Sequence, residues 1–390
     1  MRKPLTALLG AAALIATAAQ ANAQDTIKVG LILTLSGQFA DAGIQMQNGV
    51  KTYMKEHGEM IGGKKIELIV KDSGGVAPDV AKRLTQELVV RDKVDIIAGF
   101  VLTPNALAAG DVSAEAKKFM VVMNAATSII ITKSPYMVRT SLTVPQLQEA
   151  FGTWAYKSGI RKTYTMVSDF GPGIDAEGAF QRGFKNAGGV VVGSVRFPVA
   201  NPDFSAFVLA AKDSGSESIF IWIPGGAQPA AIAKALAERG IDPRKTKVLG
   251  QGELTEDEAR ASMGDAGLGI ITVYHYDHNH QSEMNKAFVK AFKTEFGGRN
   301  PNIYSIGGWD GMHLIYEALK KTGGKSDGES LIAAAKGMKW ESPRGHISID
   351  PETRDIVQTV YIRRVEKAGE GTRNAEFDRI ENVKDPPRAK

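Results

Sequence analysis

The chain has 390 residues with 42 glycines, no cysteine, an apolar fraction of 43% and a formal net charge of +5. Two domains rather than one core are expected at this length, disulfides are excluded, and so mild a charge argues against a nucleic-acid partner. The balance of glycine and apolar residues suits a compact protein of many short connections rather than a disordered one.

Arg2 and Lys3, the apolar run Leu5 to Ala19 and the small-residue site Ala21-Asn22-Ala23 read as a secretory signal peptide over residues 1–23. The mature chain is then expected to begin near Gln24, in the periplasm. With no cysteine at the cleavage site a lipid anchor is impossible, and no later segment reaches the roughly 18 apolar residues of a membrane span. Thr26 to Leu33 reads as a buried strand, followed by a loop, Thr34 to Phe39, in which Ser36 beside Gly37 is placed to touch a ligand. A helix from Ala42 to His57, closed by Gly58, a strand from Lys65 to Lys71 and a helix from Pro78 to Arg91 come next.

The stretch from Val94 to Thr127 organises the rest. An apolar strand, Val94 to Ala98, is closed by Gly99; Thr103 then reads as an N-cap with Pro104 at the first helical position. The next strand, Phe119 to Met123, ends in the turn Asn124-Ala125-Ala126-Thr127, which offers carbonyls and one hydroxyl. A helix N-terminus and this turn should meet at adjacent strand ends, where open α/β sheets hold anionic ligands. An ordinary capped crossover helix is the plain alternative.

The repeated strand–helix alternation argues for a parallel sheet covered on both faces. After Met137 to Ser141 the pattern starts again, with helices at Pro145–Lys157, Ile174–Asn186, Asp203–Lys212 and Pro229–Arg239. Strands at Thr163–Val167, Val190–Phe197, Ser218–Ile223 and Lys247–Leu249 alternate with them. Beyond Ile270–Tyr274, helices at Met284–Phe296 and Trp309–Thr322 and strands at His346–Ile349 and Val357–Arg364 follow. Asp310 reads as a helix cap, and the charged tail after Glu366, with Pro386-Pro387, is expected to fray. The fold class is α/β: two doubly wound parallel-sheet lobes with a cleft between them.

Other chemistries are weaker. Gly171 to Ala176 formally fits the dinucleotide fingerprint, but proline occupies its phosphate turn and the next strand ends in Arg196-Phe197 with no acid for a ribose. His275, Asp277, His278 and His280 offer metal-ligand types, yet their spacing suits a solvated crossover loop. No serine lies in a G-x-S-x-G elbow. No enzyme activity, cofactor or metal is expected.

The leader, the IKVG strand, the LTLSG loop, the GGKKIELIVKDSGG segment and the Gly99 to Thr127 site, in this order, resemble the periplasmic binding proteins of branched-chain amino-acid ABC transporters, the leucine/isoleucine/valine-binding type. The resemblance implies a type I fold with lobe one over residues 24–140 plus 274–339, lobe two over 141–273 plus 340–390 including the tail, and three crossovers. It implies that Thr103 holds a ligand carboxylate, that the Ala125 carbonyl and the Thr127 hydroxyl meet an amino group, and that Phe170 packs over the ligand. The acid that neutralises the ammonium in amino-acid binders falls on Gly252, with Glu253 one residue later. An unpaired buried ammonium is costly, so a carboxylate without an amino group is the expected ligand, as for relatives that carry aromatic acids. Phe100, Tyr274 and Trp309, with Phe39 and Trp222, stand near strand ends or crossovers and suit a flat ligand, although each reads equally as core; Gly226 is counted with the cleft residues. The implied function is the substrate-binding component of an ABC importer, a monomer partnering an inner-membrane permease and closing on a small apolar or aromatic carboxylate. The alternative is a branched-chain or other amino acid with Glu253 as ammonium partner.

Overall fold

The computed structural model describes residues 26–200, 202–225 and 228–387; the expected signal peptide and Gly226 lie outside them. Strand β1 (Thr26–Leu33) leads to α1 (Ala40–His57), β2 (Met60–Ile61), β3 (Lys64–Asp72), α2 (Pro78–Val90), β4 (Ile96–Gly99), α3 (Thr103–Ala116), β5 (Phe119–Val122) and β6 (Met137–Arg139). These strands form one sheet in the order β2-β3-β1-β4-β5-β6, parallel except for the short β2. The strands β1, β4 and β5 are buried along almost their whole length, as β-branched runs covered by helices on both faces must be.

The second half begins at α4 (Val144–Lys157), whose start is fixed by a capping box in which Thr143 and Gln146 satisfy each other's backbone amides. There follow β7 (Lys162–Ser168), α5 (Gly171–Asn186), β8 (Val190–Phe197), α6 (Ser205–Asp213), β9 (Ser218–Trp222), α7 (Gln228–Glu238), β10 (Lys247–Gln251), α8 (Asp257–Met263) and β11 (Ile271–Tyr274). The chain then returns to the first layer, where α9 (Glu283–Glu295) and α10 (Ile303–Lys321) pack on α1, and α11 (Gly328–Ala335) packs on α10. It ends in the second layer with β12 (Lys339–Ser342), β13 (Gly345–Ile349), β14 (Ile356–Ala368) and β15 (Gly371–Val383). The second sheet runs β12-β13-β14-β11-β10-β9-β7-β8, with β15 on the other part of β14. The chain thus crosses between the layers at residues 140–143, 275–282 and 336–338.

Three expectations change. The second sheet is parallel only from β8 to β11; β12 to β15 join it antiparallel, because two-residue connections at 343–344 and 369–370 can only reverse the chain. The tail expected to fray is largely β15, whose thirteen residues pair with β14 as an edge strand; its charges face solvent, which is why it does not read as a strand. Asp310 is not a cap. The helix α10 starts seven residues earlier, at an Asn302–Ser305 capping box, and Asp310 is buried within it.

Buried arginines clamp the crossings. Arg344 bonds Asp310 at 2.7 Å and the carbonyl of Ser141 at 3.0 Å, and also reaches the carbonyl of Thr140, while Asp310 accepts from Trp340 at 3.0 Å. Arg139 bonds Asp355 at 2.7 Å with both side chains fully buried. A charge in so dry a place is tolerable only when paired, so these pairs fix the paths by which the layers are joined.

Candidate functional site

The sheet ends of the first layer are drawn together by register. Gly99 of β4 pairs with Val122 of β5, and beyond them the Met123 amide donates to the Gly99 carbonyl at 2.8 Å and the Ala125 amide to the Phe100 carbonyl at 3.0 Å. Phe100 itself takes φ +69, a left-handed conformation that costs an ordinary residue about 1–2 kcal/mol; burial of its ring and the bond from its amide to Ile32 hold it there. This turn sends the chain straight into α3. Thr103 is the first residue of that helix rather than its cap: Leu102 stands at the cap position and no side chain satisfies the first turn. The Thr103 hydroxyl instead meets the Thr127 hydroxyl at 3.0 Å. The two threonines that the sequence pairs are therefore in contact, beside the positive end of a fourteen-residue helix.

The turn behind them is rigid. Arg139 donates to the carbonyls of Ala125 at 3.0 Å and Thr127 at 2.9 Å. The Ala125 carbonyl, which the resemblance assigns to a ligand amino group, is thus already engaged. From the second layer Asp175 on α5 faces this turn: burial raises its carboxyl above the ordinary range, while the Ser128 amide and Arg139 pull it down.

A cavity of 510 Å³ opens between the layers. Phe39 and Gln45 line it from the first layer, Glu253 and Tyr274 from the ends of the second, Asn300 from the segment before α10 and Tyr304 from the first turn of α10. Asn300 closes one side, donating to Asp257 at 2.9 Å. Thr103 and Thr127 do not line it, so the hydroxyl pair and the acidic wall are separate features of the interlayer region.

That wall is built outward from Gln251. The register of β10 on β11 pairs Gln251 with Val273, which sets Gly252 beside Tyr274. A Cβ at Gly252 would fall 1.8 Å from the Tyr274 ring, so the aromatic ring occupies the space where an acidic side chain at 252 would stand. Gln251 accepts from Trp222 at 3.0 Å and from Gln148 at 2.7 Å, and donates to the two oxygens of Glu253 at 2.9 and 2.8 Å. Phe170, at the cap of α5, packs on Trp222 with ring centroids 5.6 Å apart. Burial raises Glu253 above the ordinary carboxylate range, against the pull of Gln251, Tyr274 and Arg363. Burial, with Asp257, Asp277 and Glu253 nearby, pushes Glu256 up to about 8 despite Arg363.

The remaining sequence candidates lie elsewhere. Trp309 is buried in α10 among Tyr53, His57 and Phe288, with its indole N–H on Glu56 at 3.0 Å. Phe100 belongs to the core under α2 and α3, and Ser36 is exposed, its hydroxyl directed to Asp72. The histidine segment is not the solvated loop its polarity suggests. His275 is buried and held neutral by burial and by Arg344 and Arg363; His280 meets Glu376 at 2.9 Å, and His278 lies 3.7 Å from Asp257. Among the described residues no three metal-ligating side chains converge. At the formal dinucleotide motif, Gly173 serves packing: a Cβ there would lie 1.9 Å from the Ser168 carbonyl. Gln251, Gln148 and Tyr304 carry no recognisable spacing signal, although glutamine at a strand end followed by Gly-Glu is a visible irregularity.

Two α/β layers crossed three times by the chain, with polar groups gathered where strands end, are the architecture of a two-lobed solute receptor. The sequence profile described as periplasmic binding protein matches residues 26–370. The Leu/Ile/Val-binding protein homolog 6 of Brucella melitensis is 41% identical over 382 residues, 97% of each chain. An ABC-transporter solute-binding protein of Rhodopseudomonas palustris BisB5, solved with 3,4-dihydroxybenzoic acid, is 52% identical; the match has a TM-score of 0.87 and covers 93% of this chain and 99% of that one. Another from Rhodopseudomonas palustris HaA2, solved with p-hydroxybenzoic acid, is 42% identical with a TM-score of 0.88, covering 93% and 98%. The chain belongs to the periplasmic binding protein family, type I fold, of the branched-chain amino-acid ABC transporter kind. Such proteins bind small ligands and deliver them to an ABC permease, and among the described residues no helix is long and apolar enough to cross a membrane.

Proposed function

We propose that this protein is the periplasmic, non-enzymatic receptor of an ABC importer for a small aromatic carboxylate. The observation that carries this reading is the loss of the ammonium site. The position where the resemblance expects the acid is Gly252, beside which the Tyr274 ring fills the space a side chain would need, and the Ala125 carbonyl already accepts one bond, from Arg139. Two hydroxyls in contact beside a helix N-terminus without a side-chain cap support a carboxylate there. An acid without an α-amino group satisfies that half and asks nothing of the other. The aromatic acids in the two Rhodopseudomonas relatives support the same class.

In this reading the carboxylate binds first at Thr103 and Thr127 in the lobe of the first sheet. The wall of Phe170, Trp222 and Glu253 in the second lobe then closes over the ring, and the closed form, a monomer, is presented to an inner-membrane permease. Closure requires contacts from both lobes, because a ligand touching one has no differential affinity for the closed state. The leader over residues 1–23 would direct the chain to the periplasm. A second reading rests on Glu253, which does line the cavity: an amino acid with its ammonium on that carboxylate. Calorimetry separates the two. Benzoate-type acids should bind, and Thr103→Ala and Thr127→Ala should each cost about 1–3 kcal/mol of affinity through the group left unpaired. Unchanged affinity in both variants removes the carboxylate assignment, and binding of leucine alone selects the second reading.

A further inference from the structure

We propose that Glu253 and Tyr274 form a hydroxyl-reading subsite that makes this receptor select ring-hydroxylated aromatic acids over unsubstituted benzoate. The inference rests on the aromatic-carboxylate reading and assigns the opposite end of the ligand.

Three observations carry it. Tyr274 is fully buried, lines the cavity and holds its hydroxyl near Glu253, which it influences without completing a hydrogen bond of proper geometry. A buried polar group left in that state costs free energy, which a ligand in the cavity relieves. Glu253 lines the same cavity and is held from behind. The side-chain amide of Gln251 reaches both its oxygens, and cannot flip, because its own oxygen already accepts from Trp222 and Gln148. A carboxylate has about four acceptor positions, so Glu253 retains capacity toward the cavity. Finally, Thr103 and Thr127 lie outside that cavity lining, so the groups proposed for the carboxylate and those facing the cavity are separate sets.

Phenol chemistry fits this pair. A phenolic hydroxyl is a donor and an acceptor at once: it donates to Glu253 and accepts from Tyr274, satisfying both with one atom. Benzoate offers neither function and leaves the Tyr274 hydroxyl and the cavity-facing acceptor positions of Glu253 unused. An α-amino acid carries its ammonium on the carbon that bears the carboxylate, so it cannot place its two charges at separated subsites. Carboxyl groups of Glu253, Glu256 and Asp257 line this side of the cavity, which favours a neutral hydroxyl there over the anionic end of the ligand.

The test is titration calorimetry of the full mature chain with benzoate, 4-hydroxybenzoate and 3,4-dihydroxybenzoate, with melting temperatures to show that each variant is folded. The wild type should bind the hydroxylated acids about 10- to 100-fold more tightly than benzoate, the range expected when a site built for a hydroxyl is offered an analogue without one. Tyr274→Phe, which removes only the hydroxyl oxygen, and Glu253→Gln should each collapse that ratio toward one. Equal wild-type affinity for all three acids, or a ratio untouched by both variants, overturns the hydroxyl assignment while leaving the carboxylate reading in place. If none of the three acids binds the wild type, the carboxylate reading falls and takes this inference with it.

Discussion

Replacing Gln251 by leucine tests the wall of the site most sharply. The two side chains are close in volume, so little space is lost, but the hydrogen bonds vanish. The Trp222 indole N–H and the Gln148 amide, 4% and 0% exposed, each lose their acceptor, and Glu253 loses a donor that reaches both its oxygens. Two stranded neutral donors at about 1–3 kcal/mol each, less about 1 kcal/mol for the greater apolar burial of leucine, predict a net loss of about 1–5 kcal/mol. Urea denaturation followed by tryptophan fluorescence reads this directly. The same variant should weaken binding of 4-hydroxybenzoate more than of benzoate, because Glu253 is no longer held in place. A stability loss below about 1 kcal/mol would show that Gln251 is not the centre of this network.

Gly252→Ala should destabilise the protein by about 1–3 kcal/mol through overpacking and lower ligand affinity, since its Cβ would require the buried Tyr274 ring to move; equal melting temperatures would contradict the close approach. Arg344→Met leaves Asp310 buried without its cation and should cost about 3–5 kcal/mol in chemical denaturation. Glu256 contributes a pH dependence of known sign. Its folded-state value of about 8 lies above the ordinary 4.5, so the folded protein binds the extra proton and stability falls as pH rises from about 4.5 through 8. Glu256→Gln should flatten that decline; an identical slope in the variant would refute it. Truncation after Ala368 uncovers β14 along the residues that β15 pairs with and should lower the melting temperature and promote association through the exposed edge.

Much of the fold is legible because each parallel strand is a short apolar run stopped by a turn. The runs IIAG and FMVV and the helix signals Pro78, Pro104 and Pro145 show this. What the sequence hides is polar or short. The helix α8 is seven mostly charged or small residues, and β15 alternates weakly because one of its faces meets solvent. The start of α10 is marked by Asn302 and Ser305, a signal that the bulkier Trp309 obscures. The Thr103–Thr127 contact is readable since adjacent parallel strands bring successive turns together. The Gly252–Tyr274 contact is not: it depends on the register of β10 against β11, which no local pattern reports. Trp309 misleads for a general reason, as an aromatic near a crossover looks the same in sequence whether it faces a cleft or a core.

The central claim, two lobes closing on a small aromatic carboxylate, is tested most directly by thermal unfolding against a panel of aromatic acids and branched-chain amino acids. A ligand that binds only the folded form at 100 times its Kd adds about 2.7 kcal/mol, enough to raise the melting temperature by several degrees. The account predicts that shift for 4-hydroxybenzoate or 3,4-dihydroxybenzoate and none for leucine, isoleucine or valine. A shift with the amino acids and none with any aromatic acid would contradict it.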